Sequence, residues 1–125
     1  MLGESTVVAM VAVSDINKGK EFYGGKLGLN QVDENPGGVT YQCGTGKLFV
    51  YQAPTAGTGQ ATSATWDVKD VDACVSELAG KGISFEHYDM PGGIREGDVH
   101  VMGPMRAAWF KDPDGNILGL ANAGN

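Results

Sequence analysis

Asp112-Pro113-Asp114-Gly115-Asn116 divides two apolar segments, Arg106 to Phe110 before it and Ile117 to Ala121 after it. Pro fixes φ at one corner of a turn, Gly accepts a left-handed backbone, and Asp and Asn side chains bond to nearby main-chain groups. The pattern predicts two antiparallel strands joined by a tight reversal. A sheet closed at this point needs its other strands upstream.

The first strand is Val7 to Val13, a run of small and β-branched residues. Ser14-Asp15 can cap a helix that starts near Ile16 or Asn17, carries Phe22, Tyr23 and Leu27 on its apolar side, and ends at Gly28. Leu29 to Val32, Val39 to Cys43 and Leu48 to Tyr51 follow as strands, separated by Pro36-Gly37-Gly38 and Gly44-Thr45-Gly46. A Pro/Gly/Thr-rich stretch from Pro54 to Gln60 then reads as a linker. Beyond it the order restarts: strand at Thr62 to Val68, a helix from Asp70 or Asp72 with Val71, Val75, Leu78 and Ala79 on one face, a stop at Gly80-Lys81-Gly82, and a strand at Ile83 to His87.

Val13-Ser14-Asp15-Ile16 matches Val68-Lys69-Asp70-Val71 at an offset of 55, and Gly28-Leu29 matches Gly82-Ile83 at 54. A common offset and a shared element order indicate an internal duplication. Each half is too small to cover its own sheet, so the two are expected to form one domain over 1–125: module one at 6–53, linker at 54–61, module two at 62–122. Module two departs from the repeat in a long Gly-rich connection, 89–104, which carries Met90, Glu96, Asp98, His100 and Met102. A connection of that length in a small domain is a candidate binding loop, with Val99 to Met102 as a short additional strand.

The 125 residues, 42% of them apolar, suit one compact unit with a core. The formal charge of -6 and the lack of any Lys/Arg cluster argue against nucleic acid or an anionic membrane as partner. No window has the length and apolarity of a membrane span or the layout of a secretory leader. Cys43 and Cys74 stand alone, without a Cys-x-x-Cys partner or a neighbouring His, and are read as reduced thiols of a cytoplasmic protein.

The duplicated strand-helix-strand-strand-strand order resembles the vicinal oxygen chelate superfamily, which includes glyoxalases, bleomycin-resistance proteins and extradiol dioxygenases. The likeness is carried by Val13-Ser14-Asp15-Ile16 leading to Phe22-Tyr23 and Leu27-Gly28-Leu29, by Val68-Lys69-Asp70-Val71-Asp72 leading to Leu78 and Gly82, and by Trp109-Phe110-Lys111-Asp112-Pro113-Asp114-Gly115-Asn116. The resemblance implies an α+β fold in which two βαβββ modules form curved mixed sheets around a central cleft. It also implies that metal-dependent members take one ligand from the first and one from the last strand of each module. Carried onto this chain, those positions are Val8, Phe49 or Tyr51, Ser63 and Gly119. Ni, Zn and Fe centres need imidazole, carboxylate or thiolate donors, which this set does not supply. No metal and no cofactor are expected, and no catalytic residue is assigned.

Strand alternation sorts residues between the cleft and the helix-covered side. With Val8 facing the cleft, Met10 and Ala12 face it as well. In the second module Ser63, Thr65, Asp67, Ala107 and Trp109 do the same, leaving Trp66, Ala108 and Phe110 under a helix. Tyr41, Cys43, Phe49 and Tyr51 are candidate cleft residues of module one. The expected ligand-binding set is Met10, Tyr41, Phe49, Tyr51, Thr65, Asp67, His100, Met102, Arg106 and Trp109, with Arg106 able to hold a carboxylate or phosphate. An aromatic, apolar lining of this kind suits a flat or hydrophobic organic molecule. The resemblance thus implies metal-independent binding or sequestration of a small molecule, as in bleomycin-resistance proteins, by a homodimer. Two other functions stay open: a metal-free lyase or isomerase using His87, Tyr88 or His100, and a non-catalytic interaction protein with a filled cleft.

Overall fold

The protein is described here by a computed structural model covering residues 2–89 and 91–122; Met90, expected in the long connection, lies outside them. Module one runs β1 (Val8–Val13), α1 (Ile16–Lys20), β2 (Asn30–Asn35), β3 (Gly38–Cys43) and β4 (Gly46–Gln52). Module two runs β5 (Thr62–Asp67), α2 (Val71–Gly80), β6 (Phe85–Glu86), β7 (Ile94–Glu96), β8 (Val99–Met102), β9 (Met105–Lys111) and β10 (Ile117–Ala121). A short 3₁₀ turn at Leu2–Glu4 precedes β1.

The first sheet has the order β1-β4-β3-β2 and the second β5-β10-β9-β8-β7. In both, the opening strand pairs in parallel with the last strand of its own module: β1 with β4, and β5 with β10. The remaining pairings are antiparallel. The two modules therefore share one topology, as the internal repeat predicts, and form the α+β arrangement of two curved mixed sheets. The long connection is partly ordered as the β7–β8 hairpin, and β6 and β8 share one edge of β9.

The repeat extends to the caps. Asp15 accepts from the N–H groups of Asn17 and Lys18 at 2.9 and 3.3 Å, and Asp70 accepts from that of Ala73 at 3.0 Å. Each satisfies a main-chain donor that a helix start leaves open. Gly28 and Gly82 both take positive φ, +69° and +90°, and turn the chain back towards the sheet.

The first helix differs from expectation. After Lys20 it widens into π-helical turns over Glu21–Lys26, and the Leu27 N–H donates to the Phe22 carbonyl at 2.9 Å. The widening lets consecutive Phe22 and Tyr23 both be buried. Gly19 allows a close approach to the sheet: a methyl there would lie 3.2–3.4 Å from Val13 and Val50.

One apolar core joins both modules. It contains Val11, Val13, Phe22, Tyr23, Val39, Tyr41, Leu48 and Val50 from the first, and Val71, Val75, Ile83, Val99, Ala108, Phe110, Leu118 and Leu120 from the second. Phe110 meets Phe22 across the module boundary and Phe85 within its own module, at ring-centroid distances of 6.4 and 5.7 Å. Burying a side chain of this size contributes about 2 kcal/mol.

The turn at 112–116 is part of this junction. Asp112 is buried; its Oδ1 accepts from the N–H groups of Asp114 and Asn116, and its Oδ2 accepts from Tyr23 Oη at 2.7 Å and Asn116 Nδ2 at 2.8 Å. Asn116 Nδ2 also donates to the Ala12 carbonyl, and Asn116 Oδ1 accepts from the Gly57 N–H. The Ser14 N–H donates to Asp114. One five-residue turn of module two thereby holds β1, α1 and the inter-module connection.

Candidate functional site: the open sheet faces

Each sheet has one face in the core and one turned away from it. On β1 the core side is Val11 and Val13, so Val8, Met10 and Ala12 lie opposite. The β1–β4 register places Met10 beside Phe49 and Ala12 beside Tyr51. The Phe49 and Tyr51 rings are stacked, with centroids 6.1 Å apart and planes 14° from parallel. Met10 is 54% exposed and Val8 39%, so this apolar face stands open. The Phe49 ring extends over Gly38, where a methyl would sit 2.8 Å from its Cζ.

In module two the open face carries His100, Met102, Met105, Ala107, Trp109 and Gly119, as the pairings His100–Ala107, Met102–Met105 and Trp109–Gly119 require. Thr65 pairs with Gly119, and Asp67 pairs with Ala121, which places both on the same face; both are exposed. Trp109 makes edge-to-face contacts with His100 and Tyr88, at centroid distances of 5.0 and 5.5 Å. This packing buries His100 to 2% exposure. Its Nε2 accepts from the Tyr88 N–H at 2.9 Å.

Two expected binding residues lie elsewhere. Tyr41 is 1% exposed and pairs with Leu48, which puts it on the core side, against Gly24 of the widened helix. Cys43 shares that face. The expectation placed Tyr41 and Phe49 together, but the β3–β4 register pairs Phe49 with Thr40, so Tyr41 and Phe49 point in opposite directions. Arg106 is also on the helix side, in register with Val101. It donates from Nε and Nη2 to both carboxylate oxygens of Asp72 at 2.9 Å, and from Nη2 to Glu96 at 3.0 Å. These contacts raise its pKa further and commit it to joining α2 with β7. Its side chain lies on the opposite side of β9 from Trp109.

His87 is exposed and pairs with Asp98 at 2.7 Å. Residues outside the expected binding set also belong to the open face: Met105, opposite Met102, Tyr88, through its ring contacts, and Arg95, which pairs in register with His100. The alternation of a strand carries the signal for Met105. Arg95 could be placed only once the β7–β8 register was known.

The positions that would hold a metal do not suit one. Val8 and Phe49 bring hydrocarbon, and Ser63 falls where the β5–β10 register shifts. At Gly119 a methyl would lie 3.0 Å from Thr65 Oγ1 and 3.3 Å from Trp109 Nε1. The indole thus fills the volume a ligating side chain would need. Among the described residues no group of three or more His, Cys, Asp or Glu side chains is placed to hold a metal ion.

A concavity of about 650 Å³ lies between the β3–β4 turn, the start of β2 and the β5 residues Ala64 to Asp67, so it takes in Thr65 and Asp67 from the edge of the module-two face. A smaller one, about 340 Å³, is bounded by Tyr88, Asp89, Pro91, Gly93, Ile94, Arg95 and His100. It adjoins the open face of module two through Tyr88 and His100.

A family model described as the Glyoxalase/Bleomycin resistance protein/Dioxygenase superfamily matches residues 6–120. The chain belongs to this superfamily. Among solved structures, this superfamily member is similar to a glyoxalase/bleomycin resistance protein from Streptomyces sp. CB03234, with 27% identity, a TM-score of 0.66, and coverage of 93% of this chain and 98% of the other. It is also similar to TnmS3, an antibiotic binding protein from the same organism, with 26% identity, a TM-score of 0.69, and coverage of 94% and 93%. Lactoylglutathione lyase from Agrobacterium tumefaciens shares the fold at 20% identity and a TM-score of 0.68, covering 97% and 95%. A comparison with curated proteins gave no match. No helix of the described residues is long and apolar enough to cross a membrane.

Proposed function

We propose that this superfamily member binds a small, flat organic molecule on its open sheet faces, without a metal ion. The observation that carries this reading is the Trp109 indole lying over Gly119, flanked by Tyr88 and His100. It offers a rigid aromatic surface where a metal-dependent relative would place a ligand. Met10, Phe49 and Tyr51 supply a second apolar surface. Aromatic walls with few polar atoms favour stacking of a planar ligand. The likeness to an antibiotic binding protein across nearly the whole chain supports the same reading. Thr65, Asp67 and Met102 complete the ligand-facing set, and Tyr41 and Arg106 fall outside it.

Lyase or isomerase chemistry is less well supported. A general base needs reach to the substrate and an orienting partner. His87 has Asp98, but both are at least two-fifths exposed. His100 lies on the open face, yet among the described residues its only side-chain hydrogen bond is from the Tyr88 main chain.

The test uses a Trp66→Phe background, in which Trp109 is the one indole emitter. Titration with planar aromatic compounds should quench its emission saturably at one site per chain, and Trp109→Ala should abolish binding in calorimetry. An unsaturable response to every compound, or stoichiometric metal in the purified protein by elemental analysis, would overturn the proposal.

A further inference from the structure

We propose that the cavity between the β7–β8 hairpin and Tyr88 holds an ionised oxygen, a carboxylate or phenolate, on the aromatic ligand. This inference rests on the binding function proposed above and specifies the ligand's chemistry. The first observation is at His100. Its Nε2 accepts a hydrogen bond from the Tyr88 N–H, so the proton of the neutral ring is on Nδ1. Nδ1 is buried and has no partner among the described residues. A buried donor without a partner is unfavourable, so such groups are rare unless a ligand or water meets them.

The second observation is Arg95. It is the register partner of His100 across the hairpin, so both side chains project from the same face, with Cβ atoms about 5 Å apart. Arg95 is exposed and makes no ion pair among the described residues, whereas Arg106, on the opposite face, is held by two carboxylates. In a chain of formal charge -6, an uncommitted guanidinium beside an unpartnered buried N–H forms a pair of donors for an anionic oxygen. Both residues line the same cavity of about 340 Å³. Guanidinium and imidazole N–H donors together match the two lone-pair directions of a carboxylate. Trp109 and Tyr88, in contact with His100, then receive the aromatic body of the ligand. Asp89 is on the same wall and opposes an anion, so the site is tuned below its full strength.

The experiment compares 2-naphthoate with its neutral isostere 2-naphthamide by calorimetry on the full chain. The naphthoate should bind at least ten-fold more tightly. Arg95→Gln, an exposed substitution compatible with folding, should remove that preference, and so should His100→Phe. Asp89→Asn should tighten naphthoate binding several-fold and leave the amide unchanged. Equal binding of both compounds would overturn the oxygen site while leaving aromatic binding in place. A preference that survives Arg95→Gln would also overturn it. Failure of both compounds to bind would overturn the site together with the binding function beneath it.

Discussion

Gly119 shows how one residue decides what a site can do. Its missing side chain leaves room for the Trp109 indole, 3.3 Å from where a Cβ would begin. Introducing Glu at 119 should therefore not restore metal binding. It should displace Trp109 and destabilise the protein by about 1–3 kcal/mol, the usual range for overpacking. A lowered urea midpoint, a red-shifted Trp109 emission and no metal uptake by elemental analysis are the expected results; unchanged stability with metal uptake would contradict this account. Tyr23 makes a separate test. Burial, the first cause, and the Asp112 carboxylate, the second, hold its phenol far above the ordinary tyrosine range. The unfolded chain releases this proton near pH 10 while the native state keeps it, so the unfolded state then binds fewer protons. Stability from this group is complete below that pH and falls as pH rises beyond it. Tyr23→Phe should cost about 2 kcal/mol at neutral pH, since a hydrogen bond to a charged group is lost, and should flatten the alkaline decline. Thermal unfolding from pH 7 to 11 checks both. At this scale the sequence was partly legible. The lack of donors at Val8 and Gly119 is a matter of residue type, which any register preserves. The side taken by Tyr41 depends on which residue of β4 it faces, and alternation within β3 alone does not determine that.

At the scale of elements, the turn that closes the second sheet also locks the modules together. Asn116 makes the side-chain bonds to the Ala12 carbonyl at 2.6 Å, to Asp112 at 2.8 Å and from the Gly57 N–H at 3.3 Å. Asn116→Ala should remove all three, leave the Ala12 carbonyl short of a donor, and cost about 2–3 kcal/mol. Pro113→Ala, which touches none of these bonds, should cost less. Urea unfolding of both variants would decide it, and equal losses would make the turn a simple reversal. The strand pair on either side of this turn was readable because Pro, Gly and two apolar runs specify a hairpin locally. Its docking was not, because the partners Ala12, Ser14, Tyr23 and Gly57 are far away in sequence. The same limit applies to Pro54 to Gln60. Composition marks it as a connection, yet Gly57, at φ +72°, is pressed so closely on Asp114 that no Cβ fits. The β7–β8 hairpin is intermediate: Val99 to Met102 has strand character of its own, and its register with Arg95 emerges only on folding.

For the whole molecule, the question is what covers the open faces. The core accounts for one side of each sheet and leaves Val8 and Met10 on the open face of the first, and Tyr88 beside that of the second, exposed. Scattered apolar residues are ordinary on a surface, but Val8, Met10, Phe49 and Tyr51 are neighbours on one face. A two-fold dimer that sets these faces over a second copy would bury them and give the ligand a second wall. Such a dimer makes a joint prediction about affinity and oligomeric state. Met10→Lys places a charge among the apolar neighbours at a position already 54% exposed, so the isolated fold should tolerate it. The substitution should convert a dimer at micromolar concentration into a monomer by sedimentation velocity, with little change in circular dichroism. If the second copy supplies part of the binding wall, affinity for 2-naphthoate should fall at least ten-fold in the monomer and return as protein concentration is raised. If the face binds its ligand unaided, the variant should lose dimerisation and keep its affinity. A wild-type protein that sediments as a monomer at every concentration would place the complete site within one chain, on the aromatic face around Trp109.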